Sequence, residues 1–325
     1  MMRRPRDGAN FSVELIVAGL LEHLGPEFEA CKAVSRFESN GLFRRLYNVV
    51  EAACRQGDIN HVTGDVNFLA CLLDRRRTVL TVLDCGRIEG AMDLRKWLIR
   101  LLWFRMPVRR ASRITVISEA VKGQLLSHVR VDPAKIRVVP VAVPTLYRAS
   151  PKPFDSVRPK ILQIGTAPNK NLPRLFEALE GISCRLTIVG KLNDDNLALL
   201  ERHGIDYENF VNLTNEQMLE RYQACDVVSF ASTFEGFGMP IIEGNLVGRP
   251  VVTSNVTSMP EVAGDAACLV DPFDVRSIRA GLRRVIEDAD YREQLVSRGY
   301  ANAKRYDIKT ITRLYESVYR EVQSR

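Results

Sequence analysis

The second half of the chain alternates short apolar runs with longer amphipathic stretches. Runs at 161–164, 186–189, 227–230, 250–253 and 268–270 read as strands, and 172–179 and 217–224 carry apolar residues at helical spacing. The strand runs are nearly continuous in apolar character. Both of their faces must then be covered, which predicts a parallel sheet between helices. The first half repeats the theme, with strands expected at 28–34, 59–62, 79–83, 114–117 and 136–139 and helices at 42–54, 94–104 and 119–128. Between the halves, the stretch from Pro144 to Pro153 is proline-containing and aperiodic, as a linker would be. The expected fold class is α/β: two Rossmann-like, doubly wound domains facing a central cleft. In such sheets ligands bind beyond the C-terminal ends of the strands.

A chain of 325 residues accommodates two such domains, and 46% apolar residues suffice for two cores. No apolar run approaches the roughly 18 residues that span a bilayer. Met1 to Arg6 lead into no apolar segment of secretory type. The seven cysteines are scattered without a CxxC pair, which predicts mostly buried, reduced thiols rather than a zinc site or a disulfide framework, and a cytoplasmic setting. Charge divides unevenly. Residues 1–150 hold 24 Lys and Arg against 15 Asp and Glu, and residues 151–325 hold 22 against 24. The first half is therefore expected to meet something anionic.

The strongest chemical signal is Ser232-Thr-Phe-Glu235-Gly-Phe-Gly-Met-Pro-Ile-Ile-Glu243-Gly244, directly after a strand. Pro240 suits the first turn of a helix, where its missing N–H has no intrahelical role. Glu235 is then in a loop at a strand end, and Glu243 is about one turn into the helix. Gly236 and Gly238 allow close backbone approach to a ligand, and the free N–H groups of the helix start bind hydroxyls or phosphate. On the residues alone, a turn with two solvated acids explains the segment equally well. A dinucleotide fingerprint does not, because no third glycine follows Gly238.

With its companions, the segment resembles the E-x7-E motif of the retaining glycosyltransferases of family 4, which have the GT-B fold. The companions are Gly165-Thr-Ala-Pro-Asn-Lys170-Asn171, Tyr222-Gln-Ala-Cys-Asp226, Met259-Pro-Glu-Val262 with Asp271-Pro272, and in the first half Asp58 to Asp65 and Ile114 to Glu119. The resemblance covers nearly the whole chain. It implies an acceptor-side domain over 1–150, a nucleotide-sugar domain over 151–307, and a final helix within 308–325 returning to the first domain. By the same resemblance Glu235 contacts the donor sugar, and the backbone at Gly236, Phe237, Gly238 and Met239 meets sugar hydroxyls or diphosphate. Glu243 binds the ribose, Lys170 neutralises the diphosphate, and Gly165, Thr166 and Asn171 border it. Val211 and Leu213 flank the base. A fixed ammonium at the leaving group makes physical sense, because negative charge develops there as the glycosidic bond breaks. The acceptor-side loop is expected around Gly8 and Ser12.

Three departures bear on activity. No arginine stands near Thr166 as a second phosphate clamp. Leu83-Asp84 replaces the family's His-Asp, which leaves His61 as a catalytic candidate for which a structural role is equally open. Only Met1 to Arg6 precede the glycine loop, where the family has an apolar strand. Absence of that strand predicts a gap in the sheet and points to a start assigned too late or a shortened chain.

The stretch Arg95 to Arg110 holds both tryptophans among six basic residues. It reads equally as a membrane-interface helix or as a helix packed on its own sheet with arginines reaching outward. No base-reading module points to nucleic acid. The expected activity is transfer of a hexose from a nucleotide sugar, without metal or cofactor. The acceptor would be a glycan or lipid-linked molecule of bacterial surface polysaccharide or glycolipid assembly. Nucleotide-sugar binding without transfer and sugar-nucleotide epimerisation are the rivals.

Overall fold

A computed structural model describes residues 1–2, 12–88 and 93–324, the side chains of 12–16, 87 and 95 excepted. Two compact units emerge: residues 1–142 with 308–325, and residues 143–307.

In the first unit, α1 (Ser12–His23) and α2 (Leu42–Cys54) precede four parallel strands: β1 (Asn60–Val62), β2 (Thr78–Val82), β3 (Arg113–Val116) and β4 (Ile136–Val138). The strands lie side by side in chain order. Every residue of β2 and β3 is buried, as the continuous apolar runs required. Between β2 and β3, α3 (Leu94–Ile99) passes through a widened π-type turn (Arg100–Arg105) into α4 (Met106–Arg110). The single helix expected at 94–104 is thus longer and changes its winding. After β3, α5 (Glu119–His128) is capped by Ser118, which accepts from Val121 N.

Among the described residues, the strand expected at 28–34 pairs at Val34 alone. Met2 bridges Val34 in parallel, Thr63 N donates to Met1 O, and the Met1 ammonium donates to His61 O. Met1 and Met2 thus lie between Val34 and β1. Beside them lies a cavity of about 660 Å³ lined by Leu20, Phe28, His61, Leu83, Tyr315 and Tyr319, among others.

The second unit contains β5 (Lys160–Ile164), α6 (Leu172–Leu179), β6 (Arg185–Val189), α7 (Asp194–Arg202), β7 (Tyr207–Phe210), α8 (Asn215–Ala224), β8 (Val227–Phe230), α9 (Met239–Val247), β9 (Val251–Ser254), α10 (Met259–Ala263), β10 (Cys268–Val270), α11 (Val275–Glu287) and α12 (Ala289–Ala303). Its parallel strands run in the order β10-β9-β8-β5-β6-β7. The winding reverses between β5 and β8, so their C-terminal ends form the topological switch point. Central β8 and β9 are wholly buried, whereas β7, at the edge, has no fully buried residue. Residues 143–150, expected with the first half, belong here. Val143 N donates to Tyr306 O, Ser150 N to Val247 O, and buried Arg249 reaches Ser150 O.

The last helix, α13 (Ile308–Gln323), is part of the first unit. It buries Ile308, Ile311, Tyr315, Val318 and Val322, a helical stripe that packs with Leu20, Val79 and Val139.

Candidate functional site

The switch point of the second unit gathers the residues singled out in its sequence. Lys170 comes from the loop after β5 and Glu235 from the loop after β8, and Lys170 Nζ lies 2.6 Å from Glu235 Oε1. Both side chains are mostly shielded, at 19% and 15% exposure, so the pair works in less than bulk dielectric. The ammonium also sits 4.6 Å from the centre of the Phe230 ring.

The backbone is shaped around that pair. Gly165 has φ +86°, and a Cβ there would come 2.8 Å from Lys170 Cε, so only glycine leaves room for the lysine stem. Asn171 takes the left-handed conformation, and its amide donates to Ala231 O and Pro272 O, tying the β5, β8 and β10 loops together. Asn169 Nδ2 donates both to Phe234 O and to Glu235 Oε1. On the opposite side, Ser258 Oγ is within bonding distance of Glu235 O and Phe237 O. Glu235 N donates to Thr257 Oγ1. Thr257 and Ser258 escaped the sequence reading because they carry no charge and stand outside the recognised spacing, and Asn169, inside the 165–171 segment, carries no charge.

Gly238, at φ +110°, caps α9, whose first turn contains Met239 and Pro240. Unpaired N–H groups at that end give the loop a positive electrostatic character. Phe237 is buried edge-on against Tyr306. Further along α9, Glu243 accepts from the Tyr222 hydroxyl at 2.5 Å. Burial pushes the Glu243 carboxyl up to about 7, an effect only partly offset by that hydrogen bond. Tyr222, fully buried, is held well above its ordinary value by burial and by the same carboxylate.

The neighbouring strand ends complete the rim. Thr166 Oγ1 donates to Lys191 O after β6, and Gly190, at φ +135°, approaches Thr166 too closely for a Cβ. The exposed Lys191 thereby stands on the same rim. After β7, Val211 is half-exposed and Leu213 buried.

His61 is within β1, with Nδ1 2.8 Å from Tyr319 Oη and Nε2 2.6 Å from Thr81 Oγ1, which in turn contacts Thr115 Oγ1 at 2.6 Å. Both ring nitrogens are thus engaged. Burial, together with the Met1 ammonium, holds the imidazole down to about 3. This is the geometry of a neutral bracing residue between sheet and α13. Leu83 lines the cavity, and Asp84 accepts from Gly86 N in a turn. Gly8 lies outside the described residues; Ser12 opens α1.

The chain is similar to known proteins. Residues 149–302 match the family model of glycosyl transferases group 1, and residues 23–145 match that of glycosyltransferase family 4. The chain is 36% identical to the O-antigen chain mannosyltransferase B of Escherichia coli over 165 residues, 46% of this chain and 43% of that protein. It is 28% identical to the MMP alpha-(1->4)-mannosyltransferase of Mycolicibacterium hassiacum over 60% of this chain and 50% of that protein. The matches thus span half or less of these relatives' length. Among solved structures, Anabaena HepE in complex with UDP and glucose superposes with a TM-score of 0.78 at 16% identity, covering 98% of this chain and 99% of that one. WaaG, a glycosyltransferase involved in lipopolysaccharide biosynthesis, gives 0.70 at 16% identity, with 99% and 97% covered. The shared architecture is the GT-B fold.

Proposed function

We propose that this chain, of GT-B glycosyltransferase type by its domains and fold, transfers a hexose from a nucleotide sugar with retention at the anomeric carbon. The observation that carries the reading is the Lys170–Glu235 pair at the switch point, beside the N-terminus of α9. An arriving diphosphate outcompetes one carboxylate for the lysine. Lys170 turns to the phosphates, and the freed Glu235 oxygen accepts from a sugar hydroxyl. Gly238 and Met239 offer backbone N–H groups to the same oxygens. Lys191, on the rim beside Thr166, supplies the second positive charge.

In the transfer itself, the anomeric C–O bond breaks with its electron pair leaving on the diphosphate. The acceptor hydroxyl attacks the same face, and its proton passes to a departing phosphate oxygen. Lys170 and the α9 terminus stabilise the charge that develops, which is why the reading needs no metal. Glu243 accepts from the ribose, and Val211 and Leu213 flank the base. His61 is assigned a bracing role rather than a chemical one.

The name O-antigen chain mannosyltransferase B supports an acceptor of surface polysaccharide assembly, and both mannosyltransferase names make a mannosyl donor the first to test. No helix among the described residues is long and apolar enough to cross a membrane. Contact with a membrane surface through 95–110 belongs to this reading, since it would bring a lipid-linked acceptor to the enzyme. Nucleotide-sugar binding without transfer is the second reading, favoured by Leu83, which offers no hydrogen bond. A radiolabelled nucleotide-sugar panel with a polysaccharide-lipid acceptor fraction separates the two. Labelled glycan product supports transfer; thermal protection by the nucleotide sugar without product selects the binder.

A further inference from the structure

Helix α2 is inside out. Its buried residues are Asn48 and Ala52, while Leu42, Phe43, Leu46, Tyr47 and Val50 are exposed, Phe43 at 86%. The inward asparagine is not an error of packing. Its amide donates to Phe37 O and its carbonyl accepts from Phe37 N, so a polar residue fixes the helix to the preceding loop. Of the outward apolar residues, Tyr47 packs edge-on against Phe37, while Leu42, Phe43, Leu46 and Val50 stay exposed. They recur at positions one and four apart, which sets them on a broad stripe of the helix.

This stripe does not stand alone. Arg45 of α2 lays its guanidinium 4.8 Å from the centre of the Trp103 ring in the π-type turn, and both segments pack on residues 67–72, where Leu72 is exposed as well. On that neighbouring segment Leu94, Trp97, Leu98, Leu102 and Met106 are exposed as well. Arg44, Arg105 and Arg109 are exposed among these apolar residues, and none of the three makes an ion pair with a described residue. Exposed apolar surface of this extent on two contacting helices marks an interaction site.

We propose that α2 and the 94–109 segment form one docking face for an anionic lipid bilayer, with the α2 stripe as its apolar anchor. The proposal rests on the membrane contact in the functional reading and adds α2 to it. Charge decides the occupant. A second copy would bring the same arginines against each other. A bilayer supplies an apolar layer for Phe43 and Leu46 and phosphate headgroups for the guanidiniums.

The test uses the full chain and vesicles, independently of any transfer assay. Trp97 is half-exposed on the face and reports contact through its emission. Phosphatidylcholine vesicles containing phosphatidylglycerol should bind the chain and shift Trp97 emission to the blue. Phosphatidylcholine alone should bind it at least several-fold more weakly, and salt should narrow the difference. Phe43→Ser with Leu46→Ser should reduce partitioning on the order of tenfold or more without changing the melting temperature, because both residues are exposed. Trp97→Ser with Leu98→Ser should weaken binding separately. Wild-type binding unaffected by the α2 pair overturns the proposal and leaves contact through 94–109 standing. No binding of the wild type to either vesicle overturns both. A concentration-dependent dimer abolished by the α2 pair, with vesicle binding unchanged, overturns it in favour of a second copy. Nucleotide-sugar transfer to a soluble acceptor, measured on the same variants, should not change.

Discussion

The two units are built on the same plan and finish their strands in opposite ways. In the second, the strand ends at the switch point carry Lys170, Glu235 and Thr166, with glycines at 165, 190 and 238 opening the backbone toward them. In the first, the corresponding sheet carries His61, Thr81 and Thr115 in a closed polar chain braced by Tyr319, and Leu83 against a cavity. One set of polar groups is gathered around groups that can exchange partners; the other is already satisfied. A parallel sheet supplies positions at its strand ends, and what the loops place there decides whether a ligand has anything to compete for.

The sharpest way to break that contrast is to remove the exchangeable pair. Lys170→Ala and Glu235→Ala should each lower transfer by about two to three orders of magnitude, the size typical of losing one stabilising group at a developing charge. Neither should alter the melting temperature by more than a few degrees. Steady-state kinetics with a labelled donor is the measurement, and wild-type rates in both variants would remove the site from the second unit's switch point.

The converse experiment addresses the satisfied network. His61→Ala strands the Tyr319 hydroxyl and leaves Thr81 to Thr115, at a cost on the order of 1–3 kcal/mol for the one group left without a partner. Unfolding should report that loss while nucleotide protection of the second unit stays within about twofold, since its residues lie in the other unit. The pH dependence has a definite sign. The folded-state value of His61 is depressed to about 3 from an ordinary 6.5. Its contribution is therefore present above 6.5 and lost as pH falls from there toward 3. A variant with normal stability but no transfer would restore His61 to the chemistry.

Legibility in the sequence followed the same division. Continuous apolar runs at 161–164, 227–230 and 114–117 fixed strand type and sheet class, because burial on both faces leaves a pattern that periodicity detects. Lys170 and Glu235 were legible through the resemblance of their segments to a family motif, yet their direct ion pair was not: nothing local says that loops 65 residues apart will touch. The single rung at Val34 was illegible for a related reason. Residues 28–34 have strand character, but pairing depends on a neighbour, and among the described residues Met2 supplies it at Val34 alone. The inverted α2 was missed because a helix with apolar residues on one side is ordinarily read as packing that side inward; Asn48, with its two bonds to Phe37, reverses the orientation.

Glu243 sharpens the comparison on a finer scale, since it is buried like His61 yet belongs to the site. Its carboxyl is raised to about 7 from 4.5, so in the free protein stability falls as pH rises through that window, by on the order of 1.4 kcal/mol per unit. Ribose hydroxyls, being donors, favour the ionised form. Nucleotide affinity should therefore weaken as pH drops below about 7, approaching tenfold per unit, and level off above it. Calorimetry across pH 5.5–8.5 checks this, and Glu243→Gln should bind more weakly at high pH with a flat profile. A wild-type profile that is itself flat would place the ribose elsewhere.

The smallest effect concerns Lys191, and it tests whether the rim needs a second cation. The loop of Thr166 holds no arginine, and the Thr166 hydroxyl is spent on the Lys191 carbonyl, so Thr166 offers the phosphates at most a weak contact. The exposed Lys191 is adjacent through that bond, but a solvated ammonium works in high dielectric and is screened by salt. Lys191→Ala should therefore weaken a nucleoside diphosphate only about two- to fivefold at low ionic strength, with the difference closing as salt rises. A nucleoside should bind both proteins alike, because it carries no phosphate for the lysine to meet. If Lys191→Ala matches wild type even at low salt, Lys170 and the α9 terminus carry the diphosphate alone. The strain-free glycine at 165 that seats Lys170 would then matter more than any charge on the rim.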